Sequence, residues 1–420
     1  MSEPGDKVSK SFCILPWIHL NVNPNGNVYP CCVVHWEDNV GNVKDNTLEE
    51  IWNNDTMKQI RQHMLQGKKH KLCSKCYQQE DFGLISPRET ANRNFQNHIN
   101  EKSIQGTTNA DGLNNDFKLI YWDFRFSNLC NFKCRSCSAA LSSKWYDDEV
   151  ALFDSATVDK ALIHVNEYSK KNINYYLNEF VDDVEEIYFA GGEPLIMDEH
   201  YMILEKLIEI DNTDVRLRYN TNLSHLSFKK WDNLKLWENF TKHRQSNVDI
   251  YASLDGIGKY AEYARKGTKW NKIEENIKTC LENNVRFSVS CTVSIFNILH
   301  IPEFVDRLVE LGVIFYHIGL YNILTFPHHY HINLLPENLK QLACSKLDEH
   351  LKSMPEDMRK DFAPKYESIK NYMYSTPDAP VSVSEKALKM YTTRLDKIRK
   401  ESFKEVYPEY VDWINSIENV

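Results

Sequence analysis

Cys130-Asn131-Phe132-Lys133-Cys134-Arg135-Ser136-Cys137 decides the reading of this 420-residue chain. Its three thiols stand at x3 and x2 spacing, directly after Leu119–Phe126, an aromatic and apolar run that reads as a strand. Three thiolates suit three irons of a cubane cluster, whereas a closed structural metal site takes four ligands. Three ligands leave one iron open to a substrate or cofactor, as catalytic metals keep a free position. On spacing alone, a zinc site with a fourth ligand from elsewhere is the alternative.

Working outward, Gly191-Gly192-Glu193-Pro194 ends a second such run, Val184–Ala190. Two glycines let a ligand approach the backbone closely, and Glu193 adds an acceptor for an amino group. Further runs at Val215–Tyr219, Val248–Leu254, Val285–Val293 and Val313–Leu320 are separated by long helical patterns. Strands alternating with helices predict βαβ units and a parallel sheet. Six units are too few for a closed eight-stranded barrel and suit an open, partial one.

The Cx3Cx2C triplet followed by GGEP resembles the radical S-adenosylmethionine (SAM) superfamily, over roughly Phe117–Tyr321. The resemblance implies an α/β fold, a partial (β/α)6 barrel of the TIM type. It implies that Cys130, Cys134 and Cys137 hold a [4Fe–4S] cluster whose fourth iron is chelated by SAM. Gly191, Gly192 and Glu193 would lie along the methionyl amine. Val248–Gly256, ending SLDG, places Ser253 and Asp255 at the end of the fourth run, and Arg265 follows in YARKGT. In peptide-modifying members, a serine and an arginine so placed meet the SAM ribose and carboxylate; a guanidinium's two-pronged donors match a carboxylate. A surface ion pair is the alternative for Arg265. Ser136 stands where the family often has an aromatic residue against adenine, so that packing has to come from elsewhere, with Phe132 a candidate. Asn220, Asn222 and Thr292, near strand ends, are candidates to line the pocket, because active sites of α/β barrels gather there.

Residues 11–92 read as a cysteine-bearing α+β unit. Ile18–Val22 and Asn27–Val34 flank the turn Pro24-Asn25-Gly26 as a hairpin. A helix begins at Thr47, with Glu50 completing a capping box, and Gly67 is its stop. The strings NPNGNVYPCC, VGNVKDNTLEEIWN and KLCSKC resemble the "twitch" auxiliary-cluster module, a shortened relative of the SPASM domain. The resemblance implies a second iron–sulfur cluster, of the [4Fe–4S] type, on Cys13, Cys31, Cys73 and Cys76. Cys32 rivals Cys31, since adjacent residues of a strand face opposite ways. A structural zinc site fits the same four thiols. In familiar members this module follows the barrel; here it precedes it.

The expected division is residues 1–95 for the module, 96–117 for an Asn-, Gly- and Thr-rich linker, 118–322 for the barrel and 323–420 for a helical extension. Of the 11 cysteines, Cys280, Cys291 and Cys344 stand alone in apolar patterns and read as core. A formal charge of −9 argues against a broad nucleic-acid surface, and the Lys229–Arg244 run reads as a solvated helix face. MSEPGDKVSK has no signal-like apolar core, and polar residues interrupt Val289–Ile301, so a cytoplasmic location is expected, where thiols stay reduced.

As activity, the resemblance implies reductive cleavage of SAM to a 5′-deoxyadenosyl radical that takes hydrogen from a substrate. A peptide or protein is the expected substrate of this maturase-like oxidoreductase, with an electron donor such as flavodoxin or ferredoxin. An enzyme of the same superfamily acting on a carbohydrate, small metabolite or RNA is the alternative. A non-catalytic iron–sulfur or zinc-binding interaction protein is the second. No acid–base residue stands out: Asp255, His225, Tyr321, His328, His329 and His331 read as surface or packing residues.

Overall fold

In the computed structural model, which describes residues 9–81, 85–99, 101–155, 169–377 and 379–418, five of the six strand runs form strands, while the last, Val313–Leu320, makes a helical turn at Phe315–His317 and its strand comes later, at Ile318–Ile323. The main strands are β1 (His19–Val22), β2 (Asn27–Tyr29), β3 (Gly41–Asn42), β4 (Tyr121–Phe124), β5 (Glu186–Phe189), β6 (Arg216–Thr221), β7 (Val248–Ala252), β8 (Arg286–Val293) and β9 (Ile318–Ile323). Parts of the expected module, linker, barrel and extension (residues 1–8, 82–84, 100, 156–168, 378 and 419–420) lie outside the described residues. The chain divides into two compact units, and not at the expected boundaries. The first takes residues 1–127, 163–191 and 198–217, and the second 128–162, 192–197 and 218–420.

In the first unit, the expected hairpin forms, with Gly26 at φ +88° in its turn. Its strand β1 also pairs in parallel with β4, from His19 opposite Tyr121 to Val22 opposite Phe124. β4 pairs in parallel with β5, so the order here is β5-β4-β1-β2-β3. A strand's side chains alternate between two faces. One face buries Leu20, Val22, Trp122, Phe124, Ile187 and Phe189. The other is polar: His19 stacks on Tyr121 with ring centroids 4.5 Å apart, Arg125 Nε donates to Asp123 at 3.2 Å, and Arg216 pairs with Glu186 at 3.0 Å. The cysteine-bearing segment therefore shares a sheet with β4, which its first strand extends.

The described residues of the expected linker are also ordered. It carries a helix, Glu101–Thr107, and a bridge between Thr108 and Asn114. Trp17 Nε1 donates to Thr108 Oγ1 at 2.8 Å, and Asn53 Nδ2 to the Asn114 carbonyl at 2.9 Å. Arg61, wholly buried, donates to the carbonyls of Pro16, Trp52 and Gly112. Polar hydrogen bonds fasten this stretch in place of an apolar stripe, which is why its pattern reads as a loop. Nearby, the Thr47–Glu50 capping box is present, with both bonds made.

In the second unit, β7, β8 and β9 pair in parallel, and the Ser253 N–H donates to the Thr221 carbonyl at 2.8 Å, giving the order β9-β8-β7-β6. The intervening helices bury one face each; Trp270–Glu282 buries Trp270, Ile273, Ile277 and Cys280 at three- and four-residue steps. Cys280 and Cys291 are fully buried, as their apolar patterns predict. Three long helices, Glu337–Ser353, Glu356–Met373 and Val381–Arg399, make the C-terminal region helical. Among the described residues, no helix is long and apolar enough to cross a membrane.

Because β1 belongs to the same core as β4, Leu20→Ala, at a site with no solvent exposure opposite Trp122, should lower the stability of the main unfolding transition by about 2–5 kcal/mol. Urea melts followed by tryptophan fluorescence measure this. A small, separate transition for the N-terminal segment, with the main one unmoved, would contradict the shared core.

Candidate cluster and cofactor site

The cysteine loop is held in shape by its own polar side chains. Asn128 Nδ2 donates to the Ala139 carbonyl at 2.7 Å, Ser142 Oγ to the Phe132 carbonyl at 2.5 Å and Trp145 Nε1 to the Cys134 carbonyl at 2.7 Å. Lys133–Cys134 forms a two-residue antiparallel ladder with Arg265–Lys266, which sets Arg265 directly opposite Cys134. Gly267, at φ +113°, has to be glycine: a Cβ there would lie 2.8 Å from the Phe132 ring and 2.9 Å from the Asn131 carbonyl oxygen.

Cys130, Cys134 and Cys137 are gathered closely enough to act on one another electrostatically. Burial pushes the Cys130 thiol up to about 12, with Cys134 and Glu193 adding to the rise. Burial likewise raises Cys137, reinforced by Cys134 and Cys130. Cys134 is raised by burial too, but the Arg265 and Arg399 guanidiniums pull against it. All 11 cysteines are free thiols. Buried thiols that cannot ionise alone become thiolates when a metal supplies the charge, so this donor set fits a cluster.

Arg265 Nε donates to Asp255 Oδ2 at 2.6 Å, and its Nη1 lies 3.9 Å from Cys134 Sγ. Burial works against its charge, yet Asp255 and the Cys134 thiol outweigh that and hold the guanidinium firmly protonated. The ion pair exists, but it is a buried one beside the cysteines and not the surface pair that was the alternative. Asp255 Oδ1 accepts from the Thr292 N–H at 2.8 Å, joining the ends of two strands. Ser136, Asp255, Thr292 and Phe296 are among the residues lining a small cavity here. Phe296 is its aromatic wall, while Phe132 is buried against Gly267; no spacing in the sequence marks Phe296.

The GGEP turn serves the protein's own packing first. Gly192, at φ +47°, lets the Glu193 N–H donate to the Leu129 carbonyl at 2.8 Å; a Cβ there would lie 2.3 Å from that oxygen. Gly191, at φ +80°, packs on the Arg125 side chain. The buried Glu193 carboxylate accepts from Thr221 Oγ1 at 2.6 Å, Leu195 N at 3.1 Å and Asn222 N at 2.7 Å. A carboxylate offers about four lone-pair positions, so one remains for a ligand. Burial outweighs these donors and raises the carboxyl to about 7. Asn222 Nδ2 in turn holds Asn131 Oδ1 at 2.9 Å, tying the end of β6 to the cysteine loop, and Ser253 follows β7 beside it.

The N-terminal thiols form a second group. Cys13 is buried, and Cys73 and Cys76 act on it. Burial raises Cys73 to about 12, with Cys76 adding. Cys76 lies in the first turn of the helix Ser74–Asp81, beside which Arg88 pairs with Glu80 and donates to the Phe12 carbonyl. Cys31 and Cys32 lie past the end of β2, so strand alternation does not separate them; their surroundings do. Cys13 and Cys73 act on Cys31, whereas Asp123 and Arg125 act most on Cys32 and Cys76 less. Among the described residues, no three His, Cys, Asp or Glu side chains converge as a single metal ion requires. A cubane takes its thiolates at separate corners. The late histidines have packing roles, with His329 stacked on Tyr391 at 4.3 Å.

Residues 13–77 match the SPASM family of iron–sulfur cluster-binding domains, and residues 124–308 match the radical SAM superfamily. No curated protein matches the chain. Similar solved structures include native anSMEcpe with bound AdoMet and Cp18Cys peptide, at 17% identity and TM-score 0.32 over 55% of this chain and 58% of that one. Native anSMEcpe with bound AdoMet and Kp18Cys peptide is another, at 18% identity and TM-score 0.34 over 56% and 60%. The chain thus spans less than two thirds of those chains' length. The two domain matches carry with them a [4Fe–4S] cluster, SAM and an auxiliary iron–sulfur cluster as cofactors. With its cysteine triplet, GGEP turn and second thiol group in place, the chain carries a SPASM iron–sulfur domain ahead of a radical SAM domain.

Proposed function

We propose that the protein is a maturase-like radical SAM enzyme that modifies a peptide or protein. The observation that carries the reading is the register of Arg265 against Cys134, which sets a buried, charged guanidinium beside the middle thiol of the triplet. When bound, the cluster and SAM supply a carbon-centred radical able to remove a hydrogen atom from an unactivated C–H bond.

The chain's own residues bind and orient. Cys130, Cys134 and Cys137 would hold the first cluster, and Cys13, Cys31, Cys73 and Cys76 the auxiliary one. Arg265, aimed by Asp255, would meet the SAM carboxylate, as a guanidinium fork suits. The lone-pair position left on Glu193 would take the methionyl amine, Gly191 and Gly192 would flank it, Ser253 would meet the ribose and Phe296 would pack on the adenine. A peptide substrate is supported by the auxiliary-cluster module. A low-potential donor such as flavodoxin or ferredoxin completes the scheme.

Anaerobically reconstituted protein should bind two four-iron clusters. Replacing Cys130, Cys134 and Cys137 together by Ala should remove one of them and abolish SAM cleavage; zinc in the N-terminal site after iron-replete anaerobic growth would refute the auxiliary cluster.

Arg265→Ala should leave iron content unchanged and weaken SAM binding about tenfold or more, the loss expected for one charge-assisted hydrogen bond. Equilibrium binding reads this directly, and unchanged affinity would leave Arg265 as the partner of Asp255 alone.

Changing Cys73 and Cys76 together to Ala should remove the auxiliary cluster while SAM is still cleaved without substrate. Loss of both clusters would instead mean that Cys130, Cys134 and Cys137 hold their cluster only when the N-terminal thiols are present.

A further inference from the structure

The C-terminal helix Val381–Arg399 and the turn after it reach the cysteine loop on both sides of Cys134. Arg135 has no exposed side-chain surface. Its Nη2 donates to Asp396 Oδ1 at 2.6 Å and Glu401 Oε2 at 2.9 Å, and its guanidinium lies 3.7 Å from the centre of the Tyr263 ring. Tyr263 Oη donates to the same Asp396 oxygen at 2.7 Å. Lys400, in the left-handed region at φ 54°, turns the chain so that the Glu401 N–H returns to the Asp396 carbonyl. On the other side, Lys133 Nζ and Arg399 Nε each donate to Asp148 at 2.7 Å. Arg399 also lies 4.6 Å from the centre of the Trp145 ring, and Trp145 donates to the Cys134 carbonyl. Leu395 packs with Ala139, Trp145 and Leu152, with Cys137 against that cluster.

Buried ion networks stabilise a fold no better than well-packed apolar side chains of the same volume. This one's location directly behind a triplet of metal-binding thiols points to what its charge does there. A cluster on three thiolates is anionic and becomes more so on reduction, so fixed positive charge nearby favours the reduced form, as hydrogen bonds and charge around a cluster generally do. The network holds four cations, Lys133, Arg135, Lys266 and Arg399, against three carboxylates, Asp148, Asp396 and Glu401. Its balance is positive, and one substitution moves it either way.

We propose that the C-terminal extension is a positioning element of the radical SAM site: it clamps the Cys130–Cys137 loop from behind, and its charge balance sets the reduction potential of the cluster held there. This rests on the cluster assignment made above. Asp396, Arg399 and Glu401 act through the loop and touch no substrate.

Two neutralising variants of the full holoenzyme test the charge. Glu401→Gln removes an anion and should raise the potential of the SAM-binding cluster, read by redox titration of its reduced-state electron paramagnetic resonance signal. Lys266→Met, at a partly exposed residue, removes a cation and should lower it. Shifts of opposite sign are what a purely structural network cannot produce; equal potentials, or shifts of the same sign, overturn the potential-setting role. The clamp is tested in metal-free protein by hydrogen exchange of the Arg135 and Cys137 backbone N–H groups, which donate to the Ala264 and Cys134 carbonyls. Arg399→Leu should speed it about tenfold, the scale of one lost charge-assisted hydrogen bond, and Arg399→Lys should largely restore protection. Wild-type-like protection in Arg399→Leu overturns the clamp. Wild-type protein that takes up no iron at Cys130, Cys134 and Cys137 would sink the cluster assignment and the potential-setting role together, while the hydrogen-exchange result still decides the clamp.

Discussion

A single buried carboxylate joins the pieces of the site. Glu193 cannot leave its oxygens unsatisfied away from water, since an unpaired buried charge costs more than the hydrogen bonds that would answer it. It therefore collects a hydroxyl and two backbone N–H groups from its own turn and from the end of β6. Its own N–H is spent on Leu129, the residue before Cys130. One residue thus fixes where the cysteine loop begins relative to a strand end, and Asn222 repeats the connection one hydrogen bond further along. The glycines before Glu193 are required by this closeness of the protein to itself, before any ligand arrives.

The parts of the fold legible in the sequence were those with a local signal. Strand runs such as Val285–Val293 show β-branched composition and alternate buried and open positions in the structure, and Thr47 with Glu50 announces a helix start by its own chemistry. The parallel pairing of β1 with β4 has no such signal. Residues 102 apart are brought side by side, as in Asn21 and Asp123, and nothing in either strand names its partner. The expected linker failed for a related reason: its anchors are Arg61, Trp17 and Asn53, single polar contacts from other segments, and composition alone cannot show them.

The site divides the same way. Thiol spacing and the GGEP string could be read directly, because ligands on one short loop must be close in sequence. Asp255 could be listed but not given its role, since its partner Arg265 is placed by a two-residue ladder with the cysteine loop. Arg135 carried no signal at all: its carboxylate partners lie 261 and 266 residues away. Charges that tune a buried centre are often supplied this way, by whichever element covers it, and such elements are legible only after the chain has folded.

The strand order of the first unit also has a consequence for how the protein is made. During synthesis β1 leaves the ribosome about a hundred residues before β4, and a parallel pair cannot form until both are out. Until then Leu20 and Val22 lack the neighbours that bury them, and Cys13 and Cys31 sit on a chain with an open sheet edge. The nascent thiols therefore meet the solvent, its oxidants and any passing metal ion well before the fold can protect them. For a chain that reads cysteines first and their shelter last, the redox state of the surroundings during translation bears on the yield of correctly metallated protein as much as any feature of the finished molecule.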